Sequence, residues 1–222
     1  MGSGGPTAMP IDALLTLTQW LSPAFPVGAF AYSHGLETVI DTGTVGDTAS
    51  LESWIADVLD HGAGRSDALF LAAAYRAPSA ADLARIDALA RAFAPTRERL
   101  QETDLQGAAF GATVGAIWGG DLGGLTYPVA VGGAAAREGL PLDATSAVFL
   151  QAFVANLVSV GMRLIPLGQT EGQATIRRLA PLCLRIAREA RDGDLDRLSS
   201  TVFRADIASA RHETQHTRIF RT

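Results

Sequence analysis

Apolar residues recur along most of this chain at intervals of three and four, the spacing that lines one face of an α-helix. The β-branched residues never form alternating runs framed by hairpin turns, so strands are not expected. The pattern predicts an all-α, single-domain bundle of about eight to ten helices. A first helix near Ile11 to Leu21 stops where Pro23 and Pro26 remove backbone donors, and a tight non-helical corner follows. Ser50 reads as the cap of a stretch reaching Tyr75, interrupted at Gly62 and Gly64. Ser79 caps a segment to Phe93, with Asp82 at its positive end, and Pro95 and Thr96 open the next. That segment, Thr96 to about Gly119, carries Gly107, Gly111, Gly115 and Gly119 at four-residue intervals, a bare stripe down one face. Each interior glycine costs about 1 kcal/mol of helix propensity, a cost accepted where another backbone packs close, with the fold interior favoured over a dimer interface. Asp143 reads as the cap of the most apolar helix, Ala147 to Gly168, and further helices are expected from Gln173 to Arg191, kinked at Pro181, and from Asp194 to Ala210.

The apolar helix is long enough to be mistaken for a membrane span, but Gln151, Asn156 and Arg163 lie inside it and no basic cluster flanks it. The arginine alone would cost about 2.5–3.5 kcal/mol on insertion scales, so a central buried helix of a soluble bundle is expected. Length and composition agree: 222 residues, 48% hydrophobic and 18% charged, bury a full core as one domain. A net charge of -5 provides no positive field for phosphates or anionic lipid, so neither nucleic acid nor membrane is expected as a partner. All cationic side chains are arginine, which excludes lysine-based Schiff-base and phosphate-loop chemistry. Cys183 is the single cysteine, so neither a disulfide nor a multi-cysteine zinc site can form, in keeping with a reducing cytoplasm. The opening MGSGGPTAMP lacks the basic-then-apolar pattern of a secretory signal and reads as a flexible lead-in over residues 1–10.

The segment HETQH, His212 to His216, fits the HExxH pattern of zinc metalloproteases, with Glu213 as general base. Catalytic zinc needs a third protein ligand, and the six residues after His216, TRIFRT, contain no His, Asp, Glu or Cys. Arg211 and Arg218 flank the motif and repel a divalent cation, so a polar terminal segment with chance spacing is the expectation. Ser33 and His34 are adjacent but no GxSxG elbow precedes them, and they read as a chance pair. His61 reads as a solvated or satisfied histidine. The corner Ser22 to Glu37 bears Phe25, Phe30 and Tyr32 on an irregular path, which suits either a rigid staple or a recognition edge. Arg204, Arg211, Arg218 and Arg221 make the last residues locally basic, and Ile219 and Phe220 between them would suit docking on another protein; a solvated terminus is the alternative.

Three blocks together resemble the urease accessory protein F (UreF) family: SPAFPVGAFAYSHGLE near the start, YPVAVGGAAAREGLPLDATSAVFLQAFVANLVSVGMRLIPLGQTEGQ in the middle and DIASARHETQHTRIFRT at the end. They follow the family's order from about Leu14 to Thr222, with two departures: Ala29 stands where a second glycine is common, and the glycine stripe is unusual. The resemblance implies a cytoplasmic all-α homodimer without a catalytic centre or cofactor, spanning residues 11–206, with a C-terminal tail over 207–222 that orders on partner binding. It implies that the protein binds accessory protein D (H in some organisms), recruits the GTPase accessory protein G, and docks on apo-urease for GTP-dependent nickel insertion. By the same analogy Ser33, His34, Gly35 and Glu37 belong to one partner-binding motif, and Arg211, His212, Glu213, Arg218, Phe220 and Arg221 to the tail, mobile in the free protein. Three other roles are compatible with the residues. A terminal arginine could activate the partner GTPase, HETQH could serve a zinc hydrolase, and the spaced pair His212 and His216 could contact nickel directly.

Overall fold

A computed structural model describes residues 9–221. Most of the lead-in expected over 1–10, and the final Thr222, lie outside the described residues. Within them the chain is all-α: α1 (Ile11–Trp20), α2 (Leu36–Asp41), α3 (Thr48–His61), α4 (Ala63–Tyr75), α5 (Ala80–Phe93), α6 (Arg97–Trp118), α7 (Tyr127–Arg137), α8 (Leu142–Leu164), α9 (Gln169–Glu189) and α10 (Phe203–His212). Short 3-10 turns occur at Ala29–Ala31 and Leu195–Arg197.

Local chemistry sets most boundaries. Ser79 and Thr96 accept the N–H of Asp82 and Arg99, as N-caps do. Ser50 is not the cap expected of it: Asp47 is, accepting from Ser50 N at 2.8 Å while Ser50 Oγ accepts from Asp47 N at 3.2 Å. The reciprocal pair places Ser50 at the third helical position, where a short polar residue can reach back. Asp143 is likewise inside the first turn of α8, which starts after Pro141 and ends at Leu164 because Ile165, preceding Pro166, is extended. Helix α9 begins earlier than expected, at Gln169, where Glu171 reaches back to Gly168 N, and it continues through Pro181 as one helix. The expected helix from Asp194 to Ala210 is divided: a 3-10 turn and an irregular stretch precede α10. Helices α2 and α7 escape the pattern, the first being six residues long and the second rich in glycine and alanine.

α4 is apolar on nearly every side, with Ala68 through Ala74 buried without interruption, so it forms the centre around which α3, α5, α7, α8 and α9 pack. Helix α8 is long and apolar enough to cross a membrane by length and composition alone. It packs against α9, α4, α2, α3 and α7, burying Phe149, Leu150, Val154, Leu157 and Val158. A run of ring contacts ties the long helices together: Trp20 stands edge-on to Phe110 (5.4 Å) and Trp118 (5.5 Å), Phe110 meets Tyr127 (5.8 Å), and Tyr127 meets Phe149 (5.3 Å).

Gly107 and Gly111 of the α6 stripe face the fold interior, as favoured from the sequence, whereas Gly115 is half-buried and Gly119 is exposed. After Gly119 closes the helix with φ +82°, the connection to α7 folds back along the stripe. A Cβ on Gly107 would lie 2.0 Å from the Leu125 carbonyl oxygen, and one on Gly111 2.7 Å from that of Leu122. The close approach positions Thr126, whose N–H donates to Asp87 Oδ1 at 2.6 Å, and so starts α7. On an open helix face Gly→Ala stabilises by about 1 kcal/mol. Here Gly107→Ala is expected to destabilise by about 2–3 kcal/mol through backbone overpacking, measured by urea unfolding. A gain in stability would contradict the packing described.

Candidate functional site

Two short structural events bring distant carboxylates together. Gly35, with φ +74°, turns the chain into α2, so that Glu37 enters the interior at its second position. The Thr96 cap starts α6 and places Glu98 at the equivalent position of that helix. Between them lies His212, fully buried: Nδ1 is 2.8 Å from Glu98 Oε2 and Nε2 is 3.0 Å from Glu37 Oε2. Carboxylates only accept, so both bonds are satisfied when both ring nitrogens donate, the cationic form of the ring. Arg218 Nη1 adds a bond to Glu98 Oε1 at 2.7 Å. The backbone N–H groups of Ile219 and Phe220 donate to the two oxygens of Glu37, at 2.7 and 3.0 Å.

The tail is thereby part of the core. Phe220 is buried under Arg163, whose guanidinium carbon lies 4.4 Å from the ring centroid. Arg163 also donates to Phe30 O (3.0 Å), Arg221 N donates to Ala31 O (2.8 Å), and the Arg221 side chain bonds Tyr32. Glu213 accepts from the N–H groups of Arg97 and Glu98, at 3.0 and 3.3 Å, at the positive end of α6. Thr38 Oγ1 donates to Gln215 Oε1 at 2.8 Å. A Cβ on Gly35 would lie 2.7 Å from Ser209 N, so only glycine lets α10 settle against the start of α2.

A second buried cluster adjoins the first. His34, at φ +54°, places Nε2 2.8 Å from Glu102 Oε1 and 3.0 Å from Arg99 Nη1, with Arg99 also paired to Glu102 and the imidazole edge-on to Phe153. Burial and the neighbouring Arg99 charge lower the His34 pKa against the pull of Glu102. Burial pushes Glu102 up, but Arg99 and His34 more than offset it and hold its carboxyl at about 2. Asp67 lines cavities on both sides of this cluster, together with His34, Arg99 and Thr103, and burial raises its carboxyl to about 7.

Most residues singled out from the sequence converge here. His212 is not a solvated residue of a chance motif; it is the centre of the seat. Ser33 and His34 are not an idle pair: Ser33 Oγ faces Glu37 N at 3.5 Å and His34 is locked in the second cluster. In the single chain the backbone donors of the tail and Phe220 have buried partners. HETQH does not assume HExxH geometry: α10 ends at His212, both nitrogens of that ring are engaged, and His216 is exposed beyond the helix. Among the described residues no group of three or more His, Cys, Asp or Glu could hold a metal ion. Arg211 is exposed on the outer side of α10, and His61 is exposed as expected. Glu98, Arg99, Glu102, Asp67 and Arg163 were missed. The carboxylates of α6 were visible only as a charge-dense helix start, and the His212 partner of Glu98 lies 114 residues away in sequence.

The Asp67 carboxyl supplies a pH test. Its folded pKa is raised from 3.8 to about 7, so its contribution is fully present below about pH 3.8 and is lost as pH rises through about 7. Asp67→Asn, which keeps the neutral shape, is expected to stabilise the protein at pH 8 by on the order of 2–4 kcal/mol. The gain should vanish near pH 4 in denaturant titrations; a gain independent of pH would refute the burial argument.

The UreF family model matches residues 45–180. A urease accessory protein UreF from Roseobacter denitrificans is 56% identical over 214 residues, covering 96% of each chain. One from Cereibacter sphaeroides is 57% identical over 210 residues, covering 95% of this chain and 99% of the relative. A third, from Rhodopseudomonas palustris, is 48% identical over 233 aligned positions, covering 97% and 96%. Similarity of this extent places the chain in the urease accessory protein UreF family.

Proposed function

We propose that this chain is a urease maturation factor acting as a non-catalytic scaffold in the cytoplasm. As a homodimer it binds accessory protein D/H, and the pair recruits the GTPase accessory protein G to apo-urease for GTP-dependent nickel insertion. The observation that carries the reading is what the HETQH segment does. His212 bridges two carboxylates and Glu213 covers the start of α6, so the groups that would perform hydrolysis or hold nickel hold a tail in place instead. A segment seated this way has its exposed residues fixed in space. Binding to it costs a partner less ordering entropy than binding to a loose terminus would.

A chain ending at Glu213 tests the reading, because it keeps His212 between Glu37 and Glu98 and removes the seated tail. Its helical circular dichroism is expected to be retained while size-exclusion chromatography with light scattering shows no complex with the GTPase in the presence of the D-type protein. Recruitment of the GTPase by the shortened chain, as efficient as by the full one, would overturn it.

A further inference from the structure

Helix α10 has a second side that seating the tail does not use. Its inner side buries Ala205, Ala208, Ser209 and His212, whereas Phe203 and Ile207, one turn apart, stand 68% and 52% exposed. Arg204 and Arg211 are exposed on the same helix and, among the described residues, make no ion pair. Two hollows of about 430 and 270 Å³ adjoin this face. Phe203 and His61 line the first and Ile207, Arg211 and Thr42 the second, while Trp54 and Arg204 line both. The indole N–H of Trp54 has no hydrogen-bond acceptor.

Large apolar side chains flanked by unpaired guanidinium groups are the composition of an interface core beside its rim. The charge decides the occupant. A second copy docking here about a two-fold axis would bring four arginines together, with Asp57 as the acidic residue on the hollow walls. Like charges brought together at an interface are strongly unfavourable. A partner bearing carboxylates neutralises the same groups, and a helix presents apolar anchors one turn apart with acidic residues beside them. We propose that the outer face of α10 docks an acidic amphipathic helix of a partner protein, whose apolar anchors enter the two hollows beside Phe203 and Ile207 while its carboxylates pair with Arg204 and Arg211. The proposal rests on the scaffold reading and assigns it a surface: the helix that anchors the tail on one side binds the partner on the other.

The test uses the full chain with Phe203→Asp and Ile207→Asp together, and separately with Arg204→Glu and Arg211→Glu. The probes are the purified D-type accessory protein and the purified GTPase, each alone and both together, with affinity measured by biolayer interferometry at two salt concentrations and mass by light scattering. Because all four positions are exposed, circular dichroism and melting temperature are expected to be unchanged. The apolar pair should weaken binding of one of these partners by about 100-fold. The charge-reversed pair should weaken it by about tenfold and flatten its salt dependence. Unchanged affinity for both partners overturns the proposal, as does an apolar variant that binds both but loses self-association, which would make the occupant a second copy. If the unsubstituted chain binds neither partner, the scaffold reading itself fails, and the proposal with it.

Discussion

A single imidazole held between two buried carboxylates is the constraint on which this architecture turns. His212 links Glu37, at the start of α2, to Glu98, at the start of α6, and no pair among the three is close in sequence. Removing one partner from a buried charged cluster leaves an uncompensated charge and costs about 3–5 kcal/mol, so the three must be present together. The spare acceptor capacity of the two carboxylates is filled by Arg218 and by the amides of Ile219 and Phe220, which makes the terminal residues the complement of the core charges. Helix propensity alone would leave that tail free to fray.

Two further features follow from the same constraint. The corner from Phe25 to Gly35 cannot be one continuous helix, because Gly28, His34 and Gly35 all adopt positive φ. Its irregular path places Tyr32 and the Phe30 and Ala31 carbonyls where Arg163, Asn156 and Arg221 bond them. The apolar α8, whose composition resembles a membrane span, spends its polar residues on this corner: Asn156 holds Tyr32 O, and Arg163 holds Phe30 O and covers Phe220. The arginine that argued against a membrane from the sequence serves in the structure to clamp the tail.

Helix number, the caps at Ser79 and Thr96, the break at Gly62 and the inward direction of Gly107 and Gly111 were all legible in the sequence, because each is decided within a few residues. Ser50 and Asp143 were misplaced by one helical turn or less for the same reason: several residues in each first turn are competent caps, and backbone geometry selects among them. The site was legible only in part. Glu37, His212, Arg218 and Phe220 stand in blocks that resemble the UreF family, but their mutual contact, and the role of Glu98, depend on tertiary placement that no local pattern encodes. HETQH misleads for a related reason. Its spacing is that of two ligands on one helix face, and α10 ends at the first histidine.

Amide hydrogen exchange measures directly whether the tail is seated in the free protein. In the unsubstituted chain without partners, the Ile219 and Phe220 amides are expected to be protected nearly as well as those of α10, and Glu37→Gln should release them while leaving α4 and α8 protected. Exchange of both amides at the rate of an unstructured peptide in the free chain, with protection appearing only when a partner is added, would contradict a seated tail.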